Sequence, residues 1–134
     1  MSSLSLWVAQ TLAAGFLAIL FLQSGLDKVL DWKGNKEYLG GYFAKTPLRR
    51  FSTFLLLNIT VLEMLAGVVS AAGALTVLVT RHSEIAFVGA MLAGLNVLAL
   101  FFGQRLAKDY AAAAGMVPYA IFAIGSVLVQ GVNL

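Results

Sequence analysis

Hydrophobic positions along this chain fall into four long blocks, with polar residues gathered between them. The first block runs from Leu4 to Leu22 and continues, less apolar, through Gln23, Ser24, Gly25, Asp27 and Lys28 to Leu30. The second, Phe51 to Thr80, contains a single ionisable side chain, Glu63. The third covers Ile85 to Phe102 and the fourth Met116 to Val132. A bilayer's hydrocarbon core, about 30 Å thick, is crossed by roughly 20 apolar residues in helical form. The pattern therefore predicts an all-α, single-domain fold: an integral membrane antiparallel four-helix bundle with spans near 5–30, 51–73, 85–105 and 116–133.

The second block, as one straight helix, would be about 45 Å long at roughly 1.5 Å per residue. It must tilt, protrude or break, and Ala72-Gly73 is the expected end of its buried part. Residues 31–50 form the longest polar connection. Gly34, Gly40-Gly41 and Pro47 are expected to interrupt helix there, while Trp32, Tyr38, Tyr42 and Phe43 are the aromatics expected at headgroup level. Pro118 falls in the first turn of the fourth block, where its missing N–H is harmless. The start, MSSLSLW, lacks Lys and Arg, and a cleaved signal peptide is not expected. Small residues recur at four-residue spacing, as in Ala66/Ser70, Gly67/Ala71, Ala86/Ala90/Gly94 and Gly89/Ala93. In lipid such stripes let helix backbones approach closely.

Composition narrows the functional classes. The 134 residues are 60% hydrophobic and only 11% charged, which argues against a water-soluble domain. Without cysteine there is no thiolate metal site, CxxC pair or Cys-attached haem, and one histidine, His82, supplies no bis-His haem site. No redox centre intrinsic to the chain is expected. The +3 net charge comes from basic residues at the edges of apolar blocks, so the partner expected is anionic lipid, not nucleic acid. With four spans, Lys33, Lys36, Lys45, Arg49, Arg50, Arg105 and Lys108 lie on one side and Arg81 on the other. The rule that basic loops stay in the cytoplasm places both termini outside it.

Glu63 is the principal site candidate, because a carboxyl at membrane depth needs a partner or a wet cavity. The polar ends of the first and third helices are expected to meet on the side where the second begins. Gln23, Ser24, Asp27, Lys28, Asn58, Arg105, Lys108, Asp109 and Tyr110 then form a polar pocket with Glu63 as its floor. Taken singly, Lys28, Arg105 and Lys108 read as cations that snorkel to headgroups, with Asp27 and Asp109 neutralising them. Gln10 and Asn96 are expected to hydrogen-bond between helices, and His82 to be a solvated turn residue.

Three segments resemble the DoxX family: FLQSGLDK at 21–28 followed by a basic loop, VLEMLAG at 61–67, and FGQRLAKDY at 102–110 with alanines after it. The resemblance covers most of the chain from about Gln10 onward. It implies a four-helix protein of the bacterial inner membrane. Some relatives are subunits of quinone-reducing oxidoreductases, and others accompany thiol or superoxide defence proteins. Many relatives carry an Arg early in the first helix where this chain has Gln10, so no role resting on that Arg transfers. The expected function is a small subunit of a larger membrane assembly, quinone-linked. The alternatives are a scaffold subunit without a ligand and, least favoured, a small solute carrier, since no inverted repeat or pair of broken helices is present.

Overall fold

The computed structural model describes Ser2 to Asn133, and these residues are helical with short turns between helices. In chain order they form α1 (Ser2–Leu30), α2 (Trp32–Tyr42), a single 3-10 turn (Arg49–Phe51), α3 (Ser52–Thr80), α4 (Glu84–Leu106), α5 (Tyr110–Gly115) and α6 (Val117–Gln130). Four stretches are long and apolar enough to cross a membrane: Ser3–Leu30, Arg49–Thr80, Glu84–Leu106 and Tyr110–Gln130. α1 packs on α3, α4 and α6; α3 packs on α4, and α4 on α6.

The packing inverts the usual distribution of residue types. Large apolar side chains such as Leu12, Ile19, Phe54, Val79, Leu98, Ile121 and Leu128 face outward, while Ala66, Ser70, Ala86, Ala90, Ala93, Asn96, Gln10 and Gln130 are buried. Hydrocarbon surroundings explain this, because lipid gives no reward for hiding leucine and helix association rests on close contact and polar bonds. The contacts are close at defined glycines. Gly73 lies against the Ala86 backbone and Gly89 against Ser70, joining α3 to α4. Gly67 lies against Leu22 and Gly25 against Met64, joining α1 to α3.

Of the outcomes open to the long second block, a break at Gly73 does not occur. α3 continues as helix to Thr80, and its end is set by Arg81, whose left-handed φ of 62° lets its N–H cap Val77. Gly73 is there for the proximity of α4 and does not interrupt the helix. Likewise Gly34, Gly40 and Gly41 sit within α2. Asp31 starts that helix, its carboxylate accepting from Gly34 N at 3.3 Å. A Cβ at position 34 would strike that carboxylate, so glycine serves the cap. Phe43 is 4% exposed, beneath Tyr42 and beside Gly103, and so is core, not headgroup aromatic.

The fourth span begins at Tyr110, six residues before the expected Met116. Asp109 caps it, accepting from Ala112 N at 3.2 Å. The irregularity between α5 and α6 follows from Pro118, which has no N–H for the Ala114 carbonyl one turn earlier. Lys108 enters this cap with φ 58°, a conformation costing a residue with a Cβ about 1–2 kcal/mol. Lys108→Gly is therefore expected to raise the unfolding temperature, measured by circular dichroism in detergent.

At the end of the molecule holding the Arg81–Ser83 turn, Gln10 and Gln130 bind α1 to α6. Gln10 Nε2 donates to the Val129 and Val132 carbonyls at 2.9 and 2.8 Å, and Gln130 Nε2 donates to Gln10 O at 2.8 Å. Ser83 Oγ adds a bond to Gln130 O at 2.7 Å, Trp7 Nε1 bonds Val77 O at 2.9 Å, and the exposed Arg81 guanidinium stacks on Trp7. Gln10 is thus a helix-to-helix clamp. His82 is exposed in the turn, as its position predicts.

Candidate functional site

Register between α1 and α3 determines where the buried acid finds its partner. Leu22 meets Gly67 and Gly25 meets Met64, so rising numbers on α1 face falling numbers on α3 and Lys28 stands about half a turn from Glu63. Cα–Cβ bonds tilt toward the start of their own helix. Lys28 therefore leans back along α1, Glu63 leans back along α3, and the two side chains converge. Lys28 Nζ lies 3.0 Å from Glu63 Oε2, with 19% and 2% of the side chains exposed. The same tilt carries Lys28 away from the nearer surface, so the expectation that it snorkels is not met.

The ammonium makes an ion-pair contact with Glu63 Oε2 and donates to Ser24 Oγ at 3.0 Å and Ser24 O at 3.5 Å. The carboxylate is less well served. Its contact with Lys28 is short, yet Oε2 is buried without a well-directed hydrogen bond. Behind it, the fully buried Asn96 donates to Ile59 O at 3.4 Å, linking α4 to α3 one turn before Glu63, while its own Oδ1 is unpartnered. The interhelical bonds expected of Gln10 and Asn96 are both present.

Two cavities adjoin the pair. A pocket of about 180 Å³ is lined by Glu63, Ser24, Leu20, Phe21, Leu100 and Tyr119, with Val97 and Met116 completing it. Tyr119 is 40% exposed, so this apolar pocket meets the outer surface of the bundle beside α6. A second cavity, about 260 Å³, lies toward α2 and includes Lys28, Asn35, Tyr38, Tyr42, Gln104 and Asp109 among its walls. Leu100 borders both.

The sequence-derived residue set divides accordingly. Ser24, Lys28 and Glu63 come together, and Asp109 lines the second cavity. Gln23 and Asp27 are exposed on the opposite stripe of α1, because positions 23 and 27 lie one step from 24 and 28 and point elsewhere on a helix. Asn58 is exposed and bonds Phe54 O in its own helix at 2.8 Å. Arg105 does not pair with Asp109: its guanidinium lies 4.8 Å from the centre of the Tyr110 ring, and Arg105, Lys108 and Tyr110 are all exposed. Among the described residues, no group of three or more His, Asp or Glu side chains is arranged to hold a metal ion. Tyr42, Asn35, Gln104, Leu100 and Tyr119 joined the site without being singled out for it. Only the aromatic content of residues 31–50 hinted at the first.

Asp109 Oδ2 accepts from the Tyr42 hydroxyl at 2.9 Å, tying α2 to the α4–α5 turn. Burial, then the hydrogen bond to Asp109, then the charge of Asp109 and the neighbouring Tyr38 push the Tyr42 phenol from 10.0 up to about 12. The neutral phenol is thus favoured in the fold. Its stabilising effect is complete below pH 10 and lost as the pH rises from 10 through about 12, where the unfolded chain would already have released the proton. Phenolate absorbance of the native protein minus that of Tyr42→Phe should show this late titration. The substitution itself should cost about 1 kcal/mol, the net value of one hydrogen bond.

No family model, curated protein or solved structure matches this chain. The fold and site define a helical protein with four candidate membrane-spanning helices and a buried glutamate paired with a half-buried lysine between two cavities.

Proposed function

We propose that this chain is a DoxX-like integral protein of the bacterial inner membrane, an antiparallel four-helix bundle acting as a small subunit of a larger, quinone-linked membrane assembly. The observation that carries the reading is Glu63 itself, a buried carboxylate in the wall of an apolar pocket whose charged contact is Lys28. A ligand suited to it has a hydroxyl that donates to the carboxylate and a flat apolar body that enters from the bilayer. A quinol fits that description, and Ser24, Lys28 and Glu63 would hold its head. A bound quinone supplies the electron chemistry; the chain contributes orientation, exclusion of bulk water and a fixed charge pair. Purification in mild detergent, with mass spectrometry of the co-purifying proteins and extracted lipids, tests this. Quinone in stoichiometric amount together with other membrane subunits is the expected result.

One observation favours a second reading. The Lys28 ammonium is held inside the protein by two hydrogen bonds to Ser24 and its ion pair with Glu63, which suits a scaffold subunit whose charge pair only fixes helix register. Partners recovered without quinone would select it. The basic imbalance supports, under either reading, an orientation with α2 and the Lys108 turn in the cytoplasm and both termini outside. A reporter active only outside the cytoplasm should work when fused after residue 134 and be silent in the 33–45 loop. The reverse pattern would overturn this orientation.

A further inference from the structure

The Lys28–Glu63 pair is the boundary between two spaces. Glu63 and Ser24 line the apolar pocket that meets the outer surface of the bundle, whereas Lys28 lines the cavity toward α2. Its walls carry six polar side chains, Lys28, Asn35, Tyr38, Tyr42, Gln104 and Asp109, set among apolar ones. Gln104 Oε1 is buried there without a hydrogen-bond partner. A buried carbonyl oxygen left unpaired costs about 1–3 kcal/mol, so a rotation of Gln104 that turns its oxygen toward a donor in the adjoining cavity is favoured. Water is the donor that needs no further assumption: the cavity, about 260 Å³, is many times the roughly 30 Å³ that one water occupies in the liquid.

We infer that the cavity under α2 is a hydrated inlet that brings water, and protons with it, from the α2 end of the bundle to the buried Lys28–Glu63 pair. The pair then has two separate approaches, an aqueous one through the inlet and an apolar one through the pocket beside Tyr119. Leu100, common to both walls, is the apolar partition between them. This inference does not depend on what the apolar pocket binds.

The chain contains no cysteine, so single thiols report without background. Asn35, Gln104, Leu100 and Ala112 line the inlet, while Leu98, on the same helix as Leu100 and 63% exposed, faces outward where hydrocarbon is expected. Each is replaced singly by cysteine in the full chain, in sealed vesicles, and exposed from the α2 side to a charged, membrane-impermeant thiol reagent. Reaction requires water and the thiolate, and apolar surroundings suppress ionisation, so Gln104→Cys and Leu100→Cys should react at least about ten-fold faster than Leu98→Cys. Ala112→Cys, a small change in volume, repeats the measurement should either larger replacement disturb the fold. Failure of positions 100, 104 and 112 to react while Asn35→Cys reacts fully would mean that the cavity is dry, and would overturn the inlet. Equal reaction at 98 and 100 would also overturn it, by removing the distinction between an inlet and a generally wet helix.

Discussion

Glu63→Leu should be among the most damaging single substitutions in this chain, and adding Lys28→Met to it should restore much of what is lost. Removing the carboxylate leaves the partly buried Lys28 ammonium without its counter-charge, and breaking a buried pair from one side typically costs about 3–5 kcal/mol, less where water reaches the stranded group. Lys28→Met alone strands the nearly fully buried Glu63 in the same way. Replacing both partners by apolar groups of similar volume removes the charges together, which is often neutral or even stabilising. Unfolding of the two single variants and the double variant, followed by retained monodispersity after heating in detergent, gives the coupling between the sites. Additive losses would mean that the two side chains are solvated independently. Ser24→Ala should cost less, about 1 kcal/mol, because one neutral acceptor is lost. Arg105→Ala, at an exposed residue outside any ion pair of the described structure, should change stability by no more than about 0.5 kcal/mol.

The second large effect belongs to glycines where helices touch. At Gly73 even a single Cβ meets the backbone of Ala86, and backbone cannot rotate away as a side chain can. Gly73→Val should force α3 from α4 and reduce stability by about 1–3 kcal/mol or more, the usual cost of overpacking. Gly67→Val, against the Leu22 backbone, should behave similarly. Gly15, Gly94 and Gly125 have open space at the corresponding position, and alanine there should be neutral or stabilise by up to about 1 kcal/mol, since glycine is the poorer helix former. Thermal unfolding of the five variants under one detergent condition separates the classes. If Gly73→Val and Gly94→Ala unfold together, close approach of α3 and α4 is not what these glycines provide.

Both predictions concern features whose residues are visible in the sequence and whose partners are not. Block length alone carries the four candidate spans, because the thickness of a bilayer fixes how many apolar residues a helix needs and the chain has four such blocks. Glu63 stands out for the same reason, as the one ionisable group in thirty positions. The roles of Gln10 and Asn96 as cross-helix donors also follow from isolated polar groups in apolar surroundings, which must find partners. Which cation joins Glu63 was not legible. Lys28, Arg105 and Lys108 are equivalent as charges, and only the α1–α3 register, set by Gly25 on Met64 and Gly67 on Leu22, together with the backward tilt of both side chains, selects Lys28. The fate of Asp109 was hidden for a related reason. Spacing of four from Arg105 suggested an ion pair, but the chain turns at Lys108, and the carboxylate caps the next helix and accepts from Tyr42 instead. Gly73 shows the limit most plainly: in one dimension it leaves open whether the second block breaks or continues, and it becomes a contact point only once a second helix lies against it. Sequence by itself therefore determined the number of apolar helices and the buried acid, both consequences of transfer energies that act residue by residue. The partner of that acid, the two cavities and the close helix contacts were decided by tertiary structure, because each depends on the offset between helices that are distant in sequence.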